Sequence, residues 1–242
     1  MLSFAAVTTR GLQRPCNEDA VAAMGALLTG EATQPVTGRF DGAALFAVAD
    51  GVGGCGHGAR ASRELMSCLI AQAPPAANPD ACADAVCRAA LGLHAVTLHA
   101  PETAGMATTI AGLALSGRSA CWFNVGDSRV YRMRAGKLEQ LSVDDTAEPK
   151  GGGPTPRRSH ALTRSIGGSR MICPVVPHTG QVVLDDGDRL LLCSDGAWGS
   201  LSDASAATIL AEQPEAPAAA LMLLAHALAA GGPDNISIAL IQ

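Results

Sequence analysis

Six apolar runs, each cut short by a tight turn, constrain the fold of this chain more than any other feature. They lie at 44–49, 108–115, 120–125, 129–134, 189–193 and 236–241. Each is too short for a stable helix, and each is bounded by turn-forming residues. Ser116-Gly117-Arg118-Ser119 separates two of them, and Ala135-Gly136-Lys137 follows YRMR. Strands joined by such short turns pair antiparallel. Helical patterns fill 59–71, 79–99, 203–212 and 217–230, with Pro79 and Pro217 in first turns and Gly231-Gly232 as a stop. Hairpins gathered together with helices between them predict an α+β fold, not alternating βαβ units. Two segments read as surface loops. One is 29–41, which is polar and carries Gly and Pro; the other is 144–159, with Pro149, Gly151, Gly152, Gly153, Pro154 and Pro156.

The chain has 242 residues, a length that suits one domain across 1–242. Hydrophobic residues make up 48 %, which excludes a disordered chain. No apolar run approaches the ~20 residues of a membrane helix. The start, MLSFAAVTTR, lacks a basic segment followed by an apolar one, so no secretory signal is expected. Net charge is −5, and the basic residues form no stripe for nucleic acid. Only Lys137 and Lys150 among the 17 basic residues are lysine, a bias that suits a GC-rich bacterial genome. Eight cysteines without a CxxC pair read as buried, reduced thiols and not as a zinc site. A cytoplasmic protein is therefore expected.

The residues with chemical potential are carboxylates at strand ends. Asp50-Gly51 follows LFAVA, and Asp195-Gly196 follows LLLCS. Asp234-Asn235 precedes ISI, Asp127 follows the 120–125 run, and Asp19 closes RPCNED. Alone, an Asp-Gly pair is turn chemistry. Several short carboxylates at the mouths of apolar strands must pair or bind metal. A set without His or Cys suits a hard cation such as Mg2+ or Mn2+.

These residues fall in seven ordered motifs: RPCNEDA (14–20), VADGVGG (48–54), GMATTIAGL (105–113), NVGDSRVYRMRAGKLEQLS (124–142), LTRSIGG (162–168), GDRLLLCSDGAWGSLSD (187–203) and GGPDNISIALI (231–241). In this pattern the chain resembles the metal-dependent protein phosphatases of the protein phosphatase 2C (PPM) family, in compact bacterial form. The resemblance implies a β-sandwich of two antiparallel sheets flanked by helices, with a binuclear metal centre at one end. It implies hydrolysis of phosphoserine and phosphothreonine in a protein by attack of a metal-bridging hydroxide. By the same resemblance Asp50 bridges two Mg2+ or Mn2+ ions and Gly51 offers its carbonyl to one. Asp195 and Asp234 hold the other ion. Asp19 and Glu18 hold metal-bound water, Asp127 serves a third ion, and Arg14 binds phosphate. A phosphoprotein substrate, an opposing Ser/Thr kinase and a monomeric state are implied as well.

The chain departs from the pattern in places. Cys55 stands where many relatives carry a His, and His57 lies two residues on, in a Gly-rich stretch, as an alternative leaving-group acid or a solvated loop residue. Asp144-Asp145-Thr146 stands where relatives commonly have Asp-His-Ser, at the start of a segment resembling the family's flap. Two other readings are a sigma-factor-regulator phosphatase of the stress and sporulation branch, and a catalytically silent binding module. The GDSR and LTRSIGG motifs speak against the first, and the full ligand set against the second.

Overall fold

The computed structural model describes residues 1–54, 56–74, 77–147, 161–169 and 171–242. The strands are β1 (Leu2–Thr9), β2 (Ala20–Ala23), β3 (Ala26–Thr29), β4 (Ala32–Phe40), β5 (Ala44–Ala49), β6 (Gly51–Val52), β7 (Ala107–Thr108), β8 (Ile110–Ser116), β9 (Ser119–Val125), β10 (Arg129–Arg134), β11 (Lys137–Gln140), β12 (Ile166–Gly167), β13 (His178–Val183), β14 (Arg189–Cys193) and β15 (Ile236–Ile241). The helices are α1 (His57–Ala71), α2 (Pro79–His99), α3 (Asp195–Trp198), α4 (Asp203–Glu212) and α5 (Ala216–Ala229).

Two six-stranded sheets form the centre, in the orders β11-β10-β14-β15-β1-β4 and β13-β9-β8-β5-β2-β3. Every pairing in them is antiparallel. The turns explain the pairing. Gly117 (φ 58) leads a two-residue hairpin between Ser116 and Ser119. Ala135 and Gly136 (φ 48 and 80) close the β10–β11 hairpin in the doubly left-handed turn that matches strand twist.

Alternation along the strands then sends side chains to two faces. Phe4, Val21, Phe40, Phe46, Leu113, Leu192 and Ile241 meet between the sheets. The outer face of the second sheet packs Phe123 and Ala47 under α1 and α2, through Leu65, Leu69, Val86 and Leu93. The outer face of the first packs Val7, Leu191 and Leu240 under α4 and α5, through Ile209, Leu223 and Leu224. The result is the four-layer αββα sandwich.

Three expectations need correction. The segment 29–41 is not a loop: β4 runs through it and pairs with β1. As an edge strand exposed along most of its length, it keeps polar residues and tolerates Pro35. Helix α2, at 21 residues and a mean hydropathy of 1.3, is long and apolar enough to cross a membrane by length and composition. Here its Cys82, Ala85, Val86, Ala89 and Leu93 face the core. The cysteines are not uniformly thiols. Cys68, Cys82, Cys87, Cys121, Cys173 and Cys193 are free, but Cys16 is disulfide-bonded. Cys55 and most of the 144–159 segment, including Arg157 and Arg158, lie outside the described residues.

Candidate metal centre

One end of the sandwich collects the strand-end carboxylates from both sheets. Asp19 enters β2 and Asp50 leaves β5, and these strands pair through Ala20 and Ala49. Asp195 follows β14 and Asp234 precedes β15, which pair through Cys193 and Ile238. Asp127 sits in the turn between β9 and β10. Burial and neighbouring charge act on Asp50, Asp19 and Asp127. Burial, then the charges of Asp19, Asp195, Asp127 and Asp234, hold the Asp50 carboxyl well above its ordinary value. Asp19, 1 % exposed, is pushed up to about 7, mainly by burial, with the nearby Ser237 and Ser194 hydroxyls opposing. Asp127 also rises to about 7, by burial and then by the charge of Asp195. Glu18 is raised by burial, with Arg14 opposing.

A polar lattice fixes these groups. Asn235 is its centre: its Nδ2 donates to the carbonyls of Cys16 (2.9 Å) and Arg10 (3.1 Å), and its Oδ1 accepts from the Glu18 N–H (2.8 Å). Its own N–H donates to Asp234 Oδ1 at 2.8 Å. Ser194 donates to Asp19 Oδ2 at 2.7 Å and accepts the Ser237 N–H at 3.0 Å, linking the two sheets. Thr109 Oγ1 accepts the Asp50 N–H at 3.0 Å, and the Thr109 N–H reaches the Asp50 carbonyl at 2.9 Å. Asn235, Ser194 and Thr109 were not singled out by sequence reasoning. The one available signal was their adjacency to the aspartates, since a carboxylate in a strand mouth needs such neighbours.

Gly51 lies in β6 with its backbone against that of Gly58 in α1, and a Cβ on either would collide with the other's main chain or with Glu18. Arg14 is exposed and donates from Nη2 to Asp234 Oδ2 at 2.6 Å. His57 does not sit in a loop; it opens helix α1, and it is exposed.

Asp127 has its own supports. Trp198 Nε1 donates to its carbonyl at 2.9 Å. The Arg129 guanidinium lies 3.6 Å over the Trp198 ring and binds Asp144 with both Nε and Nη2.

Among the described residues no three His, Cys, Asp or Glu side chains close into a finished metal cage. The donor set nonetheless fits a hard divalent cation. It is all oxygen, it is partly to fully buried, and neighbouring negative charges raise Asp19, Asp50 and Asp127. Glu18 Oε1 and Asp19 Oδ1 are buried without a hydrogen-bond partner, a costly arrangement that a cation or its water relieves. A cavity of about 620 Å³ lined by Phe40, Arg118, Asp188 and Gln242 contains none of these carboxylates.

The comparisons with known proteins agree with this layout. A family model described as protein phosphatase 2C matches residues 32–220. The serine/threonine protein phosphatase PstP of Mycobacterium tuberculosis is 32 % identical over 250 residues, covering 98 % of this chain and 44 % of that protein. The chain thus spans less than half the length of that relative. The protein phosphatase PhpP of Streptococcus pneumoniae is 34 % identical over 147 residues, covering 57 % of this chain and 58 % of its own. The solved catalytic domain of PstP, in complex with two manganese ions, superposes with a TM-score of 0.80 at 29 % identity, over 100 % of this chain and 99 % of that one. The fold, the family model and the near-complete alignment to PstP coincide: the chain belongs to the protein phosphatase 2C family.

Proposed function

We propose that this chain is a Mg2+- or Mn2+-dependent protein serine/threonine phosphatase, organised as one phosphatase domain across 1–242. The observation that carries the reading is the carboxylate cluster of Asp19, Asp50, Asp127, Asp195 and Asp234, of which Asp19 and Asp127 are buried and the others half-buried, with Arg14 at its rim. In this reading Asp50 and the Gly51 carbonyl hold one ion, and Asp50, Asp195 and Asp234 hold a second. Asp19 and Glu18 bind coordinated water, and Asp127 with Asp195 takes a weaker third. When bound, such ions supply Lewis acidity and lower the pKa of water. The chain's own residues do the rest. Arg14 swings from Asp234 to the phosphoryl oxygens, where a guanidinium makes paired charge-assisted hydrogen bonds. Ser194 and Asn235 hold Asp19 and Asp234 in register, so the carboxylates do not reorganise during turnover.

The substrate in this reading is a phosphorylated protein, opposite a Ser/Thr kinase, and the enzyme acts as a cytoplasmic monomer. PstP carries a manganese pair in its crystal structure, which supports two ions here and favours Mn2+ as the first metal to test. The decisive experiment is release of phosphate from a phosphothreonine peptide with and without Mn2+. Activity that is absent in chelator, restored by Mn2+ and lost in Asp50→Asn supports the reading. Folded protein with no Mn2+-dependent phosphate release on phosphoserine, phosphothreonine or p-nitrophenyl phosphate overturns it.

A further inference from the structure

Asp145 occupies a junction that the proposed mechanism does not use. It is 7 % exposed. Its Oδ2 accepts the Gly126 N–H at 2.9 Å, and its own N–H donates to the Gly126 carbonyl at 3.0 Å. That reciprocal pair grips the turn whose next residue is Asp127. A second pair of bonds lies beside it: Asn124 Nδ2 donates to the Val143 carbonyl at 2.7 Å, and Val143 N–H donates to Asn124 Oδ1 at 3.2 Å. On the other side the Asp145 carbonyl accepts the Thr163 N–H at 2.8 Å, and Thr146 bridges Leu162. The remaining oxygen, Oδ1, meets Arg164 Nη1 at 3.2 Å and His178 Nε2 at 3.0 Å. Arg164 also binds the Val176 carbonyl. Asp145 thus joins the Asp127 turn, the segments around Thr146 and Thr163, and the start of β13.

We propose that Asp145 is a positioning residue for Asp127: it sets the turn against Trp198 so that the Asp127 carboxylate points into the cluster. The opposing hold is the Trp198 Nε1 bond to the Asp127 carbonyl. Gly126, at φ 99°, is a glycine by necessity, because a Cβ there would lie 2.6 Å from Thr109 Cγ2; its backbone is intrinsically permissive, so the turn depends on outside bonds to hold it. Trp198 on the Asp127 carbonyl and Asp145 on Gly126 are two holds on the turn, at consecutive residues. Losing one lets the carboxylate drift, which costs metal affinity in the manner of any lost support behind a ligand. Arg164 and His178 act on Asp145 itself, orienting its second oxygen.

The inference rests on the metal-dependent reading, and its test separates the two. Mn2+ is titrated calorimetrically into wild type, Asp145→Ala, Asp145→Asn and His178→Ala. In Asp145→Ala the weakest binding event should lose affinity about tenfold, while the tighter events and KM for p-nitrophenyl phosphate stay within twofold. Asp145→Asn keeps an acceptor for Gly126 and should recover most of that loss, and His178→Ala should change it little. If Asp145→Ala fails to fold, Asp145→Gln, whose acceptor is displaced by one methylene, replaces it and should show the same selective loss. An unchanged weak event in the folded variants, or an equal loss across all events, overturns the proposal. Wild type that binds no Mn2+ at all overturns the metal-dependent reading instead.

Discussion

Arg14 and Asp234 form an ion pair at 2.6 Å, so the residue proposed to hold phosphate is docked on a candidate metal ligand. The pair raises the Arg14 guanidinium, first by the hydrogen bond and then by the charge of Asp234. In the proposed function this guanidinium exchanges its carboxylate partner for a phosphoryl group.

Removing it should therefore act on substrate and not on metal. In Arg14→Ala the loss of a charge-assisted hydrogen bond is worth about 1.5–3 kcal/mol, on the order of 10- to 100-fold in kcat/KM. Steady-state kinetics on a phosphopeptide should show the loss mostly in KM, with Mn2+ content by mass spectrometry unchanged. Wild-type kinetics at full metal content would make Arg14 a bystander.

The carboxylates should rank by their place in the cluster. Asp50→Asn and Asp195→Asn should each lower kcat on the order of 10³-fold, as expected for loss of a direct ligand. Asp19→Asn, whose Oδ2 is already held by Ser194, should cost only about 10- to 100-fold. Stopped assays at saturating Mn2+ measure all three, and the reverse order would refute the arrangement.

Stability should follow pH in a direction opposite to that of a protein held by ion pairs. Asp19 and Asp127 rise from 3.8 to about 7 in the folded chain. Between those values the folded state binds more protons than the unfolded state, so stability falls as pH rises. Asp188, lowered by its hydrogen bond from Arg134, works in the other sense but below pH 4. Thermal melts in chelator should give a lower Tm at pH 7.5 than at pH 5. Saturating Mn2+ should close that gap at the higher pH, and a flat or rising Tm in chelator would refute the expectation.

Cys16 offers a chemical check on the loop that carries Arg14, Glu18 and Asp19. Its disulfide ties that loop down, beyond the hydrogen bond from Asn235 to the Cys16 carbonyl. The chain has eight cysteines, so denatured, unreduced protein should titrate two fewer thiols than protein treated with a dithiol. Reduction should raise KM for a phosphopeptide more than it changes kcat, because a freed loop fixes Arg14 poorly. Cys16→Ser should behave as the reduced form in either condition; identical kinetics in all three would show that the loop does not depend on the bond.

Much of the architecture was legible because local pattern and burial agree. The 44–49, 129–134, 189–193 and 236–241 runs are strands over those residues, and the 79–99 and 203–212 patterns are helices. What stayed hidden depends on partners distant in sequence. β4 looked like a loop since its outer face is solvent, and only pairing with β1 makes it a strand. β13, with His178 to Val183 half-exposed, has the same excuse. The aspartates could be read from the chain, but Asn235 and Ser194 could not. Their roles come from bonds spanning 175 to 225 residues, a relationship no local motif encodes.

Gly51 and Gly58 touch backbone to backbone beneath Asp50, with Glu18 filling the remaining space. Each position is closed to a side chain by the other, so relieving one alone achieves nothing. Positions on the surface and along the exposed edge strand β4 can change one substitution at a time. This contact would need coordinated change in β6, α1 and the segment before β2. The floor of the site is thus closed to any single substitution for a steric reason, separate from the role proposed for the Gly51 carbonyl.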